Sequence, residues 1–293
     1  MGVGQIISGT FGMVKERFGS LLGLWAVYFG LTIVFSIVFF MTIGAVGLAG
    51  FASLAGGETL SDGGAAALGG GLLVTFILFY LAYILIAMAQ YASLISMASP
   101  TERPSFGDAL GAGWRAAPAL LLLMVVLIVA YIALALVFSL LGAALAALGD
   151  AGSVIVAIVL VPVLVWIGCR LNPLIAVVAV DRVRNPFTAI GRAWRLTRGH
   201  ALTIFLASLV FIVILVVVCG IALLPSLGML RSMADPAAVG PDAVGQAFGG
   251  IALFGLSMLV VSALFNLLYC AFMAVVHGAL TSAAGEGTAV AFE

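Results

Sequence analysis

Six apolar stretches dominate this chain, at residues 21–45, 72–96, 120–148, 154–180, 202–224 and 251–276. Each is near or above the roughly 20 residues that a helix needs to cross about 30 Å of hydrocarbon. Inside a bilayer every backbone polar group must be satisfied by the protein, so only helices and closed barrels span it. A barrel would show short segments of alternating apolar and polar residues, and these runs are too long and too continuous for that. The sequence therefore predicts an all-α polytopic membrane protein with six transmembrane helices, organised as a single membrane domain over 1–293. Composition points the same way: 65% of residues are hydrophobic, 8% are charged and the mean hydropathy is +1.36, whereas a soluble globular chain carries about 25% charged residues.

The first charges, Lys15, Glu16 and Arg17, precede an apolar run much longer than the h-region of a cleavable signal peptide, so the first span is expected to be retained. Cys169, Cys219 and Cys270 fall inside predicted spans, where they read as buried apolar thiols rather than a disulfide framework. The basic residues set the orientation. Lys15 and Arg17 precede the first span, Arg103 and Arg115 lie between the second and third, and Arg182, Arg184, Arg192, Arg195 and Arg198 lie between the fourth and fifth. The opposite loops hold only Arg231, and Arg170 falls inside the fourth span. Loops rich in Lys and Arg stay cytoplasmic, so both termini are predicted to face the cytoplasm. The formal net charge of zero conceals this asymmetry, which concerns topology and anionic lipid rather than nucleic acid. The bias toward Ala, Gly and Arg, with Lys15 the only lysine, suggests a GC-rich bacterial genome and hence a bacterial inner membrane. The opposite loops, 47–71, 149–153 and 225–250, are rich in Gly and Ala, and 63–71 reads as a flexible loop.

Two of the basic segments match position for position. Ala109-Leu110-Gly111-Ala112-Gly113-Trp114-Arg115 precedes the third span, and Ala189-Ile190-Gly191-Arg192-Ala193-Trp194-Arg195 precedes the fifth. Before the first span, Ile7, Phe11, Val14 and Phe18 form an apolar stripe with Lys15 and Glu16 off it. These matches predict a threefold repeat, with units of about 1–98, 99–180 and 181–293, each an amphipathic helix followed by a transmembrane hairpin. Asn185 followed by Pro186 marks a helix start, and Ser105 with Asp108 resembles a capping box. In the third unit Phe187, Ile190 and Trp194 share a face away from Thr188, Arg192 and Arg195. Trp114, Arg115, Phe187 and Trp194 thus read as interfacial anchors of helices lying in the headgroup plane. Such helices either pack against the bundle to set its orientation or recognise lipid phosphate or a cytoplasmic protein partner.

The run from Asn185 to His200, NPFTAIGRAWRLTRGH, follows a span carrying Arg170, Asn172 and Pro173. It resembles the membrane domain of glycerophosphoryl diester phosphodiesterases and related bacterial six-helix proteins. In some members of that family the membrane domain is fused to a soluble phosphodiesterase domain, whose metal site starts with a His-Arg pair. No such pair occurs here: the two histidines are His200 and His277. The resemblance implies a membrane fold and a link to lipid metabolism, and does not imply hydrolysis.

Metal ligation requires converging His, Cys or carboxylate groups, and the three cysteines and two histidines show no ligand spacing. No Gly-x-Ser-x-Gly elbow or phosphate-binding loop with Lys occurs. The sequence thus predicts no catalytic residues, no metal and no cofactor, and the chain is not expected to be an enzyme. Arg170 is the one charge well inside a predicted span. It costs at least about 2.5 kcal/mol there unless paired or hydrated. With no carboxylate in the spans, its partner is expected to be a backbone carbonyl, Asn172 or another amide side chain, water, or an anion such as lipid phosphate. The predicted anion or headgroup residues are therefore Arg170, Asn172, Arg192, Arg195 and Arg198, and the predicted partners are membrane lipids, including anionic phospholipid. Two functions follow: a non-catalytic membrane module that organises lipid or a partner protein, or a small transporter or lipid translocator with a polar site around Arg170.

Overall fold

The computed structural model describes residues 2–55, 62–145, 149–224 and 243–285. Its elements are α1 (Val3–Ala55), α2 (Asp62–Met97), α3 (Phe106–Leu145), α4 (Asp150–Leu171), α5 (Leu174–Ala179), α6 (Pro186–Leu196), α7 (Ala201–Leu223) and α8 (Ala243–Ala283). Among the described residues there is no strand, and six helical segments are long and apolar enough to cross a membrane. The chain is an integral membrane protein of six spans.

The helices extend further than hydropathy alone draws them. Residues 62–71, expected as loop, are the first turns of α2. Ala65, Ala66 and Ala67 favour helix, and at a membrane edge helical bonding satisfies the backbone even across a run of glycines. The acidic turn at Asp150 likewise opens α4. Glu58, Arg231, Asp235 and Asp242 lie outside the described residues.

The amphipathic segments before the first and third spans join those spans in different ways. The 53 residues of α1 form two helices that meet at a kink at Arg17, whose φ of −115° and ψ of 20° leave the helical region, so the amphipathic segment is a helix of its own before the first span. The Arg17 guanidinium donates to the Met97 carbonyl, one of the acceptors left open at the end of α2. α3, in contrast, carries its amphipathic start into the span through Pro118 without a break. α6 stands apart from both neighbouring spans. Asn185 Oδ1 accepts from the backbone N–H of Phe187 at 3.0 Å and of Thr188 at 3.4 Å, and Pro186 occupies the first turn. The turn at 197–200, with Gly199 at φ +83°, then separates α6 from α7.

At about 100° per residue these starts divide into three faces. In α6 Ala189, Ala193 and Leu196 are buried in the protein, Phe187 and Trp194 are exposed, and Arg195 projects between them on a polar side. In α3 Ala109, Gly113 and Ala116 are buried, Trp114 is exposed and Arg115 lies on the polar side. In α1 Ile6 and Thr10 are buried and Phe11 is exposed. Close packing on neighbouring helices thus falls to small residues, and the aromatic stripe faces outward.

The core lies in the half of the bundle that carries the arginines. Leu21, Leu24 and Tyr28 of α1 meet Leu94 and Ile95 of α2, Ala117 of α3, Ile204 of α7 and Phe272 and Leu280 of α8 in one buried cluster. α2 and α3 pack tightly at Gly113, where an added Cβ would collide with Ser93 Oγ and the Ala89 carbonyl. Only glycine fits there. In the opposite half aromatic pairs such as Phe35–Phe79, with centroids 5.0 Å apart, hold α1 against α2, and large side chains such as Phe40, Leu140 and Val216 are exposed.

Candidate functional site

The fourth span is broken before its end. Pro162 is accommodated within α4, but Pro173 cannot donate a backbone bond and the helix restarts as α5. Arg170 sits about one turn before the break, where α4 meets α6. Its guanidinium lies 5.2 Å from the ring centroids of both Trp166 and Trp194, which themselves pack edge to face at 5.0 Å. Each such contact contributes about 0.5–2 kcal/mol, more as water is excluded. Arg170 Nη1 also donates to the Trp194 carbonyl at 3.3 Å, and the Arg170 carbonyl accepts from Thr197 Oγ1 at 3.3 Å. The charge is thus held by two aromatic faces and a carbonyl at the end of α6, not by the carbonyls freed near Pro173.

This arrangement leaves two polar atoms without partners. Arg170 Nε and Asn172 Oδ1 are both buried and make no hydrogen bond among the described residues. One is a donor and the other an acceptor, and a buried unpaired group costs about 1–3 kcal/mol. Trp194 and Phe187, 37% and 72% exposed, extend the aromatic surface outward from Arg170.

The other predicted anion residues separate from this corner. Arg192 Nε donates to Asp181 Oδ2 at 2.6 Å, so this arginine is neutralised within the protein. The same oxygen accepts from Nε2 of His277, a nearly fully buried residue of α8, at 3.1 Å. His277 therefore carries its proton on Nε2 in this pair. Burial raises the Asp181 pKa, but the bonds and charges of His277 and Arg192 outweigh it and hold the carboxyl below its ordinary value. Asp181 and His277 are 96 residues apart in sequence, and no spacing motif reveals them. Arg195 and Arg198 are exposed, and His200 Nδ1 donates to the Arg198 carbonyl at 3.2 Å.

In the sequence Arg103, Arg182 and Arg184 stand out only as orientation signals, and Arg115 as an orientation signal and an anchor. All four line one cleft of about 620 Å³ between the start of α3 and the segment after α5. Trp114 lies outside it, 6.2 Å from the Tyr28 ring. A second, mainly apolar hollow of about 290 Å³ lies between α3 and α4, around Tyr131, Phe138 and Leu164. Arg170 lines neither. Among the described residues no three His, Cys, Asp or Glu side chains converge as metal ligands.

No protein-family model, curated protein or solved structure matches the chain.

Proposed function

We propose that the chain is a non-catalytic module of a bacterial inner membrane, with both termini cytoplasmic, that holds an anionic phospholipid headgroup at the corner of α4 and α6. The observation that carries this reading is Arg170, a cation at the rim of the bundle, set between two tryptophans and left with an unpaired Nε. A phosphate oxygen accepts from the planar guanidinium fork. Exposed Arg195 and Arg198 supply further positive charge at the same end, also available to an acidic protein partner. The run 185–200 supports kinship with the membrane domain of glycerophosphoryl diester phosphodiesterases. The shared division of faces in α1, α3 and α6 supports a threefold repeat.

Native mass spectrometry of the protein released from phosphatidylglycerol nanodiscs tests the lipid reading. Arg170→Gln is expected to retain several-fold less of that lipid than wild type, and equal retention by a normally folded variant would overturn it. A second reading, a small transporter or lipid translocator, draws on the break in the fourth span at Asn172 and Pro173. Lipid scrambling in proteoliposomes that depends on Arg170 would favour it.

A further inference from the structure

The cleft at the start of α3 is separate from the Arg170 corner and shares no residue with it. Arg103 comes from the α2–α3 connection, Arg115 from α3, and Arg182 and Arg184 from the segment between α5 and α6. Two carboxylates, Glu102 and Asp108, also line the cleft, so four cations face two anions. The acids are partly committed. Ser105 Oγ donates to Asp108 Oδ2 at 2.6 Å, and Glu102 lies 3.5 Å from Arg182. Arg103 reaches outward to Glu16 at 4.0 Å, a pair too exposed to hold it firmly. Arg115 Nε is spent on the Gly111 carbonyl at 3.0 Å, which orients the arginine and leaves its terminal nitrogens for another acceptor. Among the described residues Arg184 makes no ion pair.

The backbone bears on the same point. Arg182 is the only described residue other than glycine with positive φ, at +57°. That left-handed conformation costs a side chain such as arginine about 1–2 kcal/mol, and glycine would avoid it. A residue held in such a conformation beside a cleft marks a site where the side chain is wanted more than the relaxed backbone. The floor is built from small residues, Ala112, Ala116 and Ala179, which leave space above them, and the Ser96 hydroxyl adds a neutral donor.

We propose that this cleft binds a phosphate monoester, whose two negative charges match the surplus of two arginines. Arg184 and Arg115 supply the main contacts, Arg182 closes the site from the strained turn, and Glu102 tempers the affinity. A phosphate monoester comes from either of two sources, a water-soluble compound or the headgroup of phosphatidic acid, and recognition of the phosphate is the same for both.

The test uses the full chain in nanodiscs. Inorganic phosphate binding is followed by calorimetry in phosphatidylcholine nanodiscs, and retention of phosphatidic acid by native mass spectrometry from mixed ones. Arg184→Gln and Arg115→Gln are each expected to weaken binding at least tenfold, and Glu102→Gln to strengthen it a few-fold. Arg182→Gly is the control for folding: it relaxes the turn, so it should raise Tm while still losing affinity. Loss of the calorimetric signal alone assigns a water-soluble ligand, and loss of phosphatidic acid alone, or of both, assigns the lipid. The proposal is overturned if wild type binds neither probe, or if Arg184→Gln and Arg182→Gly bind both as wild type does. Because this cleft shares no residue with the Arg170 corner, Arg184→Gln should leave phosphatidylglycerol retention unchanged, which separates this site from the headgroup corner.

Discussion

Gly113 and Asp181 show how single residues hold this protein together. At Gly113 a methyl group would strike Ser93 Oγ, which is itself bonded to the buried Tyr28 hydroxyl at 2.9 Å, and the Ala89 carbonyl, which is backbone and cannot turn aside. Gly113→Ala is expected to lower stability by about 1–3 kcal/mol, read as a fall in Tm. Gly191→Ala, where a Cβ meets nothing within 4 Å, should be neutral or slightly stabilising. Asp181 ties α6 to α8 through Arg192 and His277, so Asp181→Asn should cost about 1–3 kcal/mol by leaving the Arg192 guanidinium and the His277 N–H poorly satisfied. Its pH dependence has a definite sign. The folded carboxyl titrates below its unfolded value, so its contribution is complete above the ordinary carboxylate range near about 4 and disappears as pH falls below that. The Tm advantage of wild type over Asp181→Asn should therefore be full above about pH 5 and shrink below about pH 4. An advantage that grew on acidification would show that the carboxyl is not held in its charged form. Little of this was legible in the sequence. Arg170 stood out because a charge in an apolar run is unmistakable, but its tryptophan partners and the Asp181–His277 pair depend on how separate helices pack.

Among the elements, α6 best separates what pattern reveals from what packing decides. Its start was legible to the residue, because Asn185 and Pro186 act locally on the first turn. Its apolar stripe of Phe187, Ile190 and Trp194 was also legible as a face. Which face packs on the protein was not, because in lipid large apolar side chains gain little by turning inward, whereas Ala189 and Ala193 let backbones approach. Ala193→Leu is therefore expected to cost about 1–3 kcal/mol in thermal stability by overpacking. Phe187→Ala should leave the Tm in detergent nearly unchanged, and a fall matching that of Ala193→Leu would contradict the outward assignment. The fusion of the amphipathic segment into α3 was not legible either, because that segment carries no helix stop comparable to Gly199.

For the whole molecule, the six spans were readable from length and hydropathy alone, since the bilayer leaves a chain of this composition few alternatives. The basic residues collect at one end of the described bundle, around α6, the start of α3 and the bend of α1. That end is expected to face the cytoplasm: a single cysteine at Thr101 should resist an impermeant thiol reagent in intact cells while one at Asp62 reacts, and the reverse pattern would refute the orientation. The same end also holds the buried cluster, while the far ends of the helices are tied mainly within neighbouring pairs. Cohesion is therefore graded along the membrane normal, and unfolding should proceed as a sequence of units rather than in one step. Under hydrogen exchange, amides near Leu24, Ile95 and Phe272 should be the last to open, while those near Phe40, Leu140 and Val216 exchange through local fraying that never reaches the arginines. A molecule built this way is expected to loosen first in the half away from its arginines, its charged base holding as the last anchor of the fold.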